Sequence, residues 1–87
     1  MQINVEKITP SQARQYLDSN RENRTIRKAR VESYAEQMKR GQWQITGDPV
    51  RFAPHGRLRD GQHRLRALIA SGLKHLEMVV IRDVPTE

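Results

Sequence analysis

Val50-Arg51-Phe52-Ala53-Pro54-His55-Gly56-Arg57-Leu58-Arg59-Asp60-Gly61-Gln62-His63-Arg64-Leu65 contains two hydrophobic periods joined by a hinge. Period two runs through Val50, Phe52 and Leu58, which predicts a hairpin with these residues toward a core. Arg51, Arg57 and Arg59 alternate with them and are expected on the opposite face. Pro54-His55-Gly56 supplies the turn, with Gly56 taking the positive φ that a tight reversal needs. From Leu65 the spacing changes to that of a helix through Leu68 and Ile69, closed by Gly72. A hairpin that runs straight into a helix leaves Asp60 and Gly61 at the junction.

Working outward, Ile3 to Ile8 alternates Ile3, Val5 and Lys7, the pattern of a short edge strand. Thr9-Pro10-Ser11-Gln12 opens a helix: Thr9 caps, proline suits the first helical position, and Gln12 completes a capping box. Ala13, Tyr16 and Leu17 give its apolar stripe, and Ser19-Asn20 ends it. Residues 20–25 are a polar, basic connection. Thr25 is the expected cap of a second helix running to about Arg40, with Val31, Tyr34, Ala35 and Met38 on one face. Gly41 closes it, and Trp43 and Ile45 are expected to anchor the following loop in the core. Gly47-Asp48-Pro49 breaks the chain before the hairpin. The predominantly apolar run Leu76 to Ile81 reads as a central strand. The order β-α-α-β-β-α-β predicts one small α+β domain over residues 1–87 with a mixed sheet.

The chain has 87 residues, 36% hydrophobic and 30% charged, a mean hydropathy of −0.84 and a net charge of +6. The excess charge is localised. Residues 21–40 carry seven bases against three acids, and residues 51–66 carry five against one. Most are arginine, whose guanidinium grips phosphate bidentately; a solvated basic surface is the alternative. No apolar run approaches the length of a membrane span. The first residues have neither the basic nor the apolar region of a secretory signal. With no cysteine, disulfides, thiolate metal sites and thiol catalysis are excluded. A cytoplasmic location, in a bacterial or phage-infected cell, is the expectation.

The junction has the chemistry of an anion site. Asp60 is placed to cap the helix, and Gly61 lets the backbone turn and a ligand approach. The amides of Gly61 to Arg64 lack intrahelical acceptors and carry the positive end of the macrodipole. Gln62, His63 and Arg64 belong to that first turn, with Arg57 and Arg59 on the preceding strand. Arginines beside a positive helix end are unfavourable without an anion. An ordinary cap and turn with solvated arginines is the competing reading.

Asp60-Gly61-Gln62-His63-Arg64-Leu65, followed by Ala67 and Ser71-Gly72, resembles the "DGQHR" box of ParB/sulfiredoxin-like domains, many of them from phages and mobile elements. Arg30-Val31, Tyr34-Ala35, Met38, Gly41-Gln42-Trp43 and Thr46 to Phe52 are similar to the N-terminal half of that group. The resemblance covers roughly residues 5–84. It implies a ParB/sulfiredoxin-like α+β fold whose box grips nucleotide phosphates, with a nucleoside triphosphate and Mg²⁺ as the cofactor. Sulfiredoxins carry a cysteine where this chain has Gln62, and partition proteins carry a Gly-Glu-Arg-Arg box and a separate DNA-binding domain. Related phage proteins often continue into further helices beyond the last strand. The expectation is therefore a phosphate-binding domain acting in phage or mobile-element DNA metabolism, without turnover by the isolated chain.

Two other classes stay open. Arg21, Arg24, Arg27, Lys28 and Arg30 would track nucleic-acid phosphates without reading bases, making a basic DNA-binding or protein-interaction module. Glu32 and Glu36, four apart on the second helix, are the candidate general bases of a small kinase or NTPase. Their bland reading is i, i+4 pairing with Lys28 and Arg40. Trp43 and Tyr34 either stack a base or pack the core. His55, His63 and His75 have no metal-ligand spacing. A homodimer or a larger protein partner is admitted.

Overall fold

The computed structural model describes residues 1–19, 26–43 and 49–84. Its order is β1 (Gln2–Ile8), α1 (Pro10–Asp18), α2 (Lys28–Lys39), β2 (Val50–Phe52), β3 (Leu58–Asp60), α3 (Gln62–Ser71) and β4 (Leu76–Arg82). This is the expected β-α-α-β-β-α-β order in a small α+β fold. Thr25, Ile45 and Gly47-Asp48 lie outside the described residues.

The helix boundaries follow largely from local chemistry. At α1 the Thr9 side chain accepts from the Gln12 amide while the Gln12 side chain accepts from the Thr9 amide, a reciprocal capping box behind Pro10. The C-terminus of α2 closes with Gly41 at φ +70°. Gly41 N–H donates to Met38 and Gln42 N–H to Gln37, the double bond of a Schellman motif. The N-terminus of α2 departs from expectation, because its N-cap is Arg27, which supplies no side-chain cap.

The four strands form one mixed sheet in the order β1-β4-β2-β3. β4 is central, antiparallel to β1 and parallel to β2, while β2 and β3 form the hairpin. Gly56 turns that hairpin at φ +89°, and the Ala53 amide donates to the Arg57 carbonyl across it. Strand parity selects Ile8, Val50, Phe52, Leu58, Met78 and Val80 for the covered face. There they join Ala13 from α1, Ala35 and Met38 from α2, and Leu65, Ala67 and Leu68 from α3 in a single cluster. Full burial of Leu65 and Leu68 stabilises the fold by about 1.5–3 kcal/mol each.

One polar contact locks the strand ends. Arg82 donates to Glu6 through Nη2 at 2.8 Å and Nε at 3.1 Å, and its guanidinium lies 4.9 Å from the Phe52 ring centre. Tyr16 meets the same ring edge-on at 4.8 Å, tying α1 to β2. The side-chain hydrogen bonding to Glu6 raises the Arg82 pKa further above its ordinary value.

The junction between β3 and α3 is a backbone constraint. Gly61 is buried and stands at φ +111°, where a Cβ would meet Val50 Cγ2 at 3.0 Å and Val50 Cα at 3.2 Å. Val50 is wholly inaccessible and cannot yield. The close approach expected of a ligand at Gly61 is thus made by β2. Gly61→Ala combines left-handed strain with this clash and should lower stability by about 1–3 kcal/mol. Urea unfolding of the two proteins measures it, and equal midpoints would show that the junction relaxes freely.

Candidate functional site: two uncapped helix starts meeting at His63

Asp60 does not cap α3. It is the last residue of β3, in register with Arg51, and Gly61 takes the N-cap position without a side-chain hydrogen bond. No acidic residue occupies the first turn of α3, and none occupies that of α2. Neither first turn therefore carries a carboxylate of its own toward the positive end of its dipole, and the acid nearest the start of α3 is Asp60, just before the N-cap.

These two helix starts meet. The backbone N–H of Arg27, the N-cap of α2, donates to His63 Nε2 at 3.0 Å. Nε2 is therefore an acceptor, and the neutral imidazole carries its proton on Nδ1. Burial lowers the His63 pKa, and the fields of Arg30, Arg64, Arg27 and Arg66 lower it further. Burial and the surrounding guanidiniums both favour the neutral ring, whose remaining donor is Nδ1–H. Four arginines from two helices, 36 residues apart at the Arg27–His63 bond, thus share one locality.

A recess of about 230 Å³ lies beside this junction, lined by Pro49, Arg51, Asp60 and Arg64. Arg51 was read in the sequence only as an outward strand residue; its register opposite Asp60 is what brings it here. Gln62, at the first helical position, is 6% exposed, and its Nε2 has no hydrogen-bond partner among the described residues. Arg59 is half-buried in the middle of β3. Arg57 is placed apart from the box. It lines a second cavity with Ser19, His55 and Gly56 at the turn end of the hairpin. Three residues of extended chain, about 10 Å, separate it from Asp60.

The remaining candidates are distributed more simply. Arg27, Lys28 and Arg30 are exposed at the start of α2, beside the His63 cluster, while Arg21 and Arg24 lie outside the described residues. Glu36 Oε1 accepts from Arg40 at 3.1 Å, and Glu32 lies 3.9 Å from Lys28, so both carboxylates make the i, i+4 pairs of a solvated helix face. Tyr34 and Trp43 pack edge-on against each other at 5.1 Å and border the core. No cluster of three histidines or acids suited to a metal occurs among the described residues. Among them, too, no helix is long and apolar enough to cross a membrane.

The His63 pKa gives the site a pH signature. The folded pKa lies below the ordinary 6.5, so the unfolded chain takes up a proton first as pH falls. The stability this group contributes is complete above 6.5 and is lost as pH drops through the lowered folded value. His63→Gln keeps an acceptor for the Arg27 amide and removes the titration. Its melting temperature should fall less than that of the unsubstituted chain on acidification below 6.5. Parallel curves would mean that His63 titrates as an ordinary surface imidazole.

No family model matches the sequence, and no curated protein or solved structure matches it either.

Proposed function

We propose that this chain binds the phosphate groups of a nucleotide or a nucleic acid where the N-termini of α2 and α3 meet. The observation that carries this reading is the Arg27–His63 hydrogen bond, which joins two helix starts without acidic caps at an imidazole that feels the fields of four arginines. Such a concentration of like charge costs free energy unless an anion occupies it. Phosphate suits the donors available: first-turn amides, guanidinium forks and the Nδ1–H of His63. The resemblance of Asp60 to Leu65 to the box of ParB/sulfiredoxin-like domains supports the same assignment.

In this reading Arg64, Arg30, Arg27 and Arg66 bind phosphate oxygens, and Gln62 and His63 orient the helix start. Asp60 holds Arg51 and Arg64 along the recess. A nucleoside triphosphate would bring its Mg²⁺ on its own phosphates, with Asp60 as the single carboxylate lining the recess. The exposed first turn of α2 extends the positive surface and favours nucleic acid as the second reading. Phosphoryl transfer would further demand a positioned acceptor and shielding from water. We assign binding without turnover, in DNA metabolism of a phage or mobile element.

Two measurements test this. A nucleoside di- or triphosphate at millimolar concentration, with and without Mg²⁺, should raise the melting temperature by mass action. The shift should vanish in Arg30→Ala and Arg64→Ala; no shift with any nucleotide would remove the nucleotide reading. For nucleic acid, log affinity for a short duplex should fall with log salt. Replacing Arg27, Lys28 and Arg30 by alanine should flatten that slope by roughly 2–3 units. Binding indifferent to salt, or none at low salt, would remove DNA from the partners.

A further inference from the structure

The helices and the buried strand residues share one face of the sheet, and strand parity sets Ile3, Val5, Val79, Ile81 and Arg51 on the other. Register fixes what that face presents: Ile3 opposite Ile81, Val5 opposite Val79 and Lys7 opposite Glu77. Ile3 is 61% exposed and Val5 54%, and with Met1 they are the large hydrophobic residues exposed among the described residues. Four aliphatic side chains thus form a two-by-two block on β1 and β4, closed at one end by a base and an acid side by side. Isolated exposed apolar residues need no explanation, but a contiguous block with a charged rim has the anatomy of an interface.

We infer that this block is a self-association surface, on which a second copy of the chain stacks its own β1–β4 face about a two-fold axis. Charge selects the partner. In a chain of net charge +6, the charges that β1 and β4 present on this face are Lys7 and Glu77, which balance, while Arg51 of β2 flanks the block beside Ile81. The rim is also self-complementary. A two-fold axis through the aliphatic block brings Lys7 of one copy to Glu77 of the other, and the reverse pair forms with it. Edge-to-edge pairing of two β1 strands is the poorer solution. Centred on Val5, it places Lys7 beside the Ile3 of the second copy, and a lysine on an edge strand discourages such extension.

The size of the block sets the affinity. Two seven-residue strands offer roughly 23 by 10 Å of sheet. That is well short of the ~800 Å² per partner of a standard stable interface. The dimer should therefore form in the high-micromolar to millimolar range, as a reversible equilibrium. This inference does not rest on the phosphate reading: none of Ile3, Val5, Lys7, Glu77, Val79 and Ile81 is assigned to it, and Arg51 of the recess neighbours the block only at Ile81.

Sedimentation equilibrium of the untagged chain, from micromolar to millimolar concentration, should show a monomer passing to a dimer. Val5→Glu, at an exposed position, should leave a monomer at every concentration with an unchanged circular dichroism spectrum. Lys7→Glu and Glu77→Lys should each weaken the dimer several-fold, and the double exchange should restore it. This rescue separates a contact between copies from a loss of fold. A chain monomeric at millimolar concentration overturns the proposal, including when the face takes up a hydrophobic dye and so serves some other partner. A dimer that persists in Val5→Glu, or one indifferent to the two charge reversals, overturns it as well.

Discussion

The contact of Gly61 with Val50 is the constraint on which the functional end of this molecule depends. A residue without a side chain lets the chain leave β3, turn through a left-handed conformation and start α3 directly against β2. That placement fixes the first turn of α3 relative to the sheet and brings Arg64 into the recess with Arg51 and Asp60. It also sets His63 where the first amide of α2 can reach it. The glycine of the box thus has a structural duty first. Its contribution to ligand binding runs through the position of the helix start.

The basic cluster and the fold pull in opposite directions. Helix starts are stabilised by acidic caps, and neither α2 nor α3 has one. Arg30, Arg64, Arg27 and Arg66 instead crowd around His63 and, with burial, push its pKa down. The neutral ring is what permits the bond to the Arg27 amide. Protonation at Nε2 would break that bond and add a fifth positive charge to the cluster. In the proposed reading, an anion would reverse the balance by neutralising the arginines and supplying acceptors for the first-turn amides. A core of modest size, spread over a four-stranded sheet and three short helices, leaves little stability to offset unbalanced charge.

Much of this architecture was legible in the sequence because it rests on short-range chemistry. Thr9, Pro10 and Gln12 fix the start of α1; Gly41 and Gly72 fix two helix ends; Gly56 fixes the hairpin. Parity alone places Val50, Phe52 and Leu58 in the core. What escaped was set by tertiary contact. Arg27 replaces the expected Thr25 as the cap of α2, and its amide is satisfied by an imidazole far along the chain. No local signal announces such a pairing. The role of Arg51 follows from its register with Asp60, and the separation of Arg57 from the box follows from the length of β3. Of the site, the box could be read from its residue types, whereas the joining of α2 to it could not.

The sheet divides the molecule electrically as well as mechanically. On β2 and β3 lie Arg51 and Asp60, which line one recess with Arg64 at the start of α3. At the β1 edge lie the neutral strand pair and its exposed aliphatic block. Because Arg51 stands in register with Ile81, stacking of β1–β4 faces would set the recess of each copy at the border of the interface. Two such clusters on one particle would engage a single polyanion at two points. The second contact then forms at the effective concentration set by the dimer geometry instead of by bulk solution. A short nucleotide gains nothing from that arrangement, whereas a nucleic acid long enough to reach both clusters does. Under the phosphate reading proposed above, the choice between nucleotide and nucleic acid is thus tied to whether the uncovered sheet face finds its second copy.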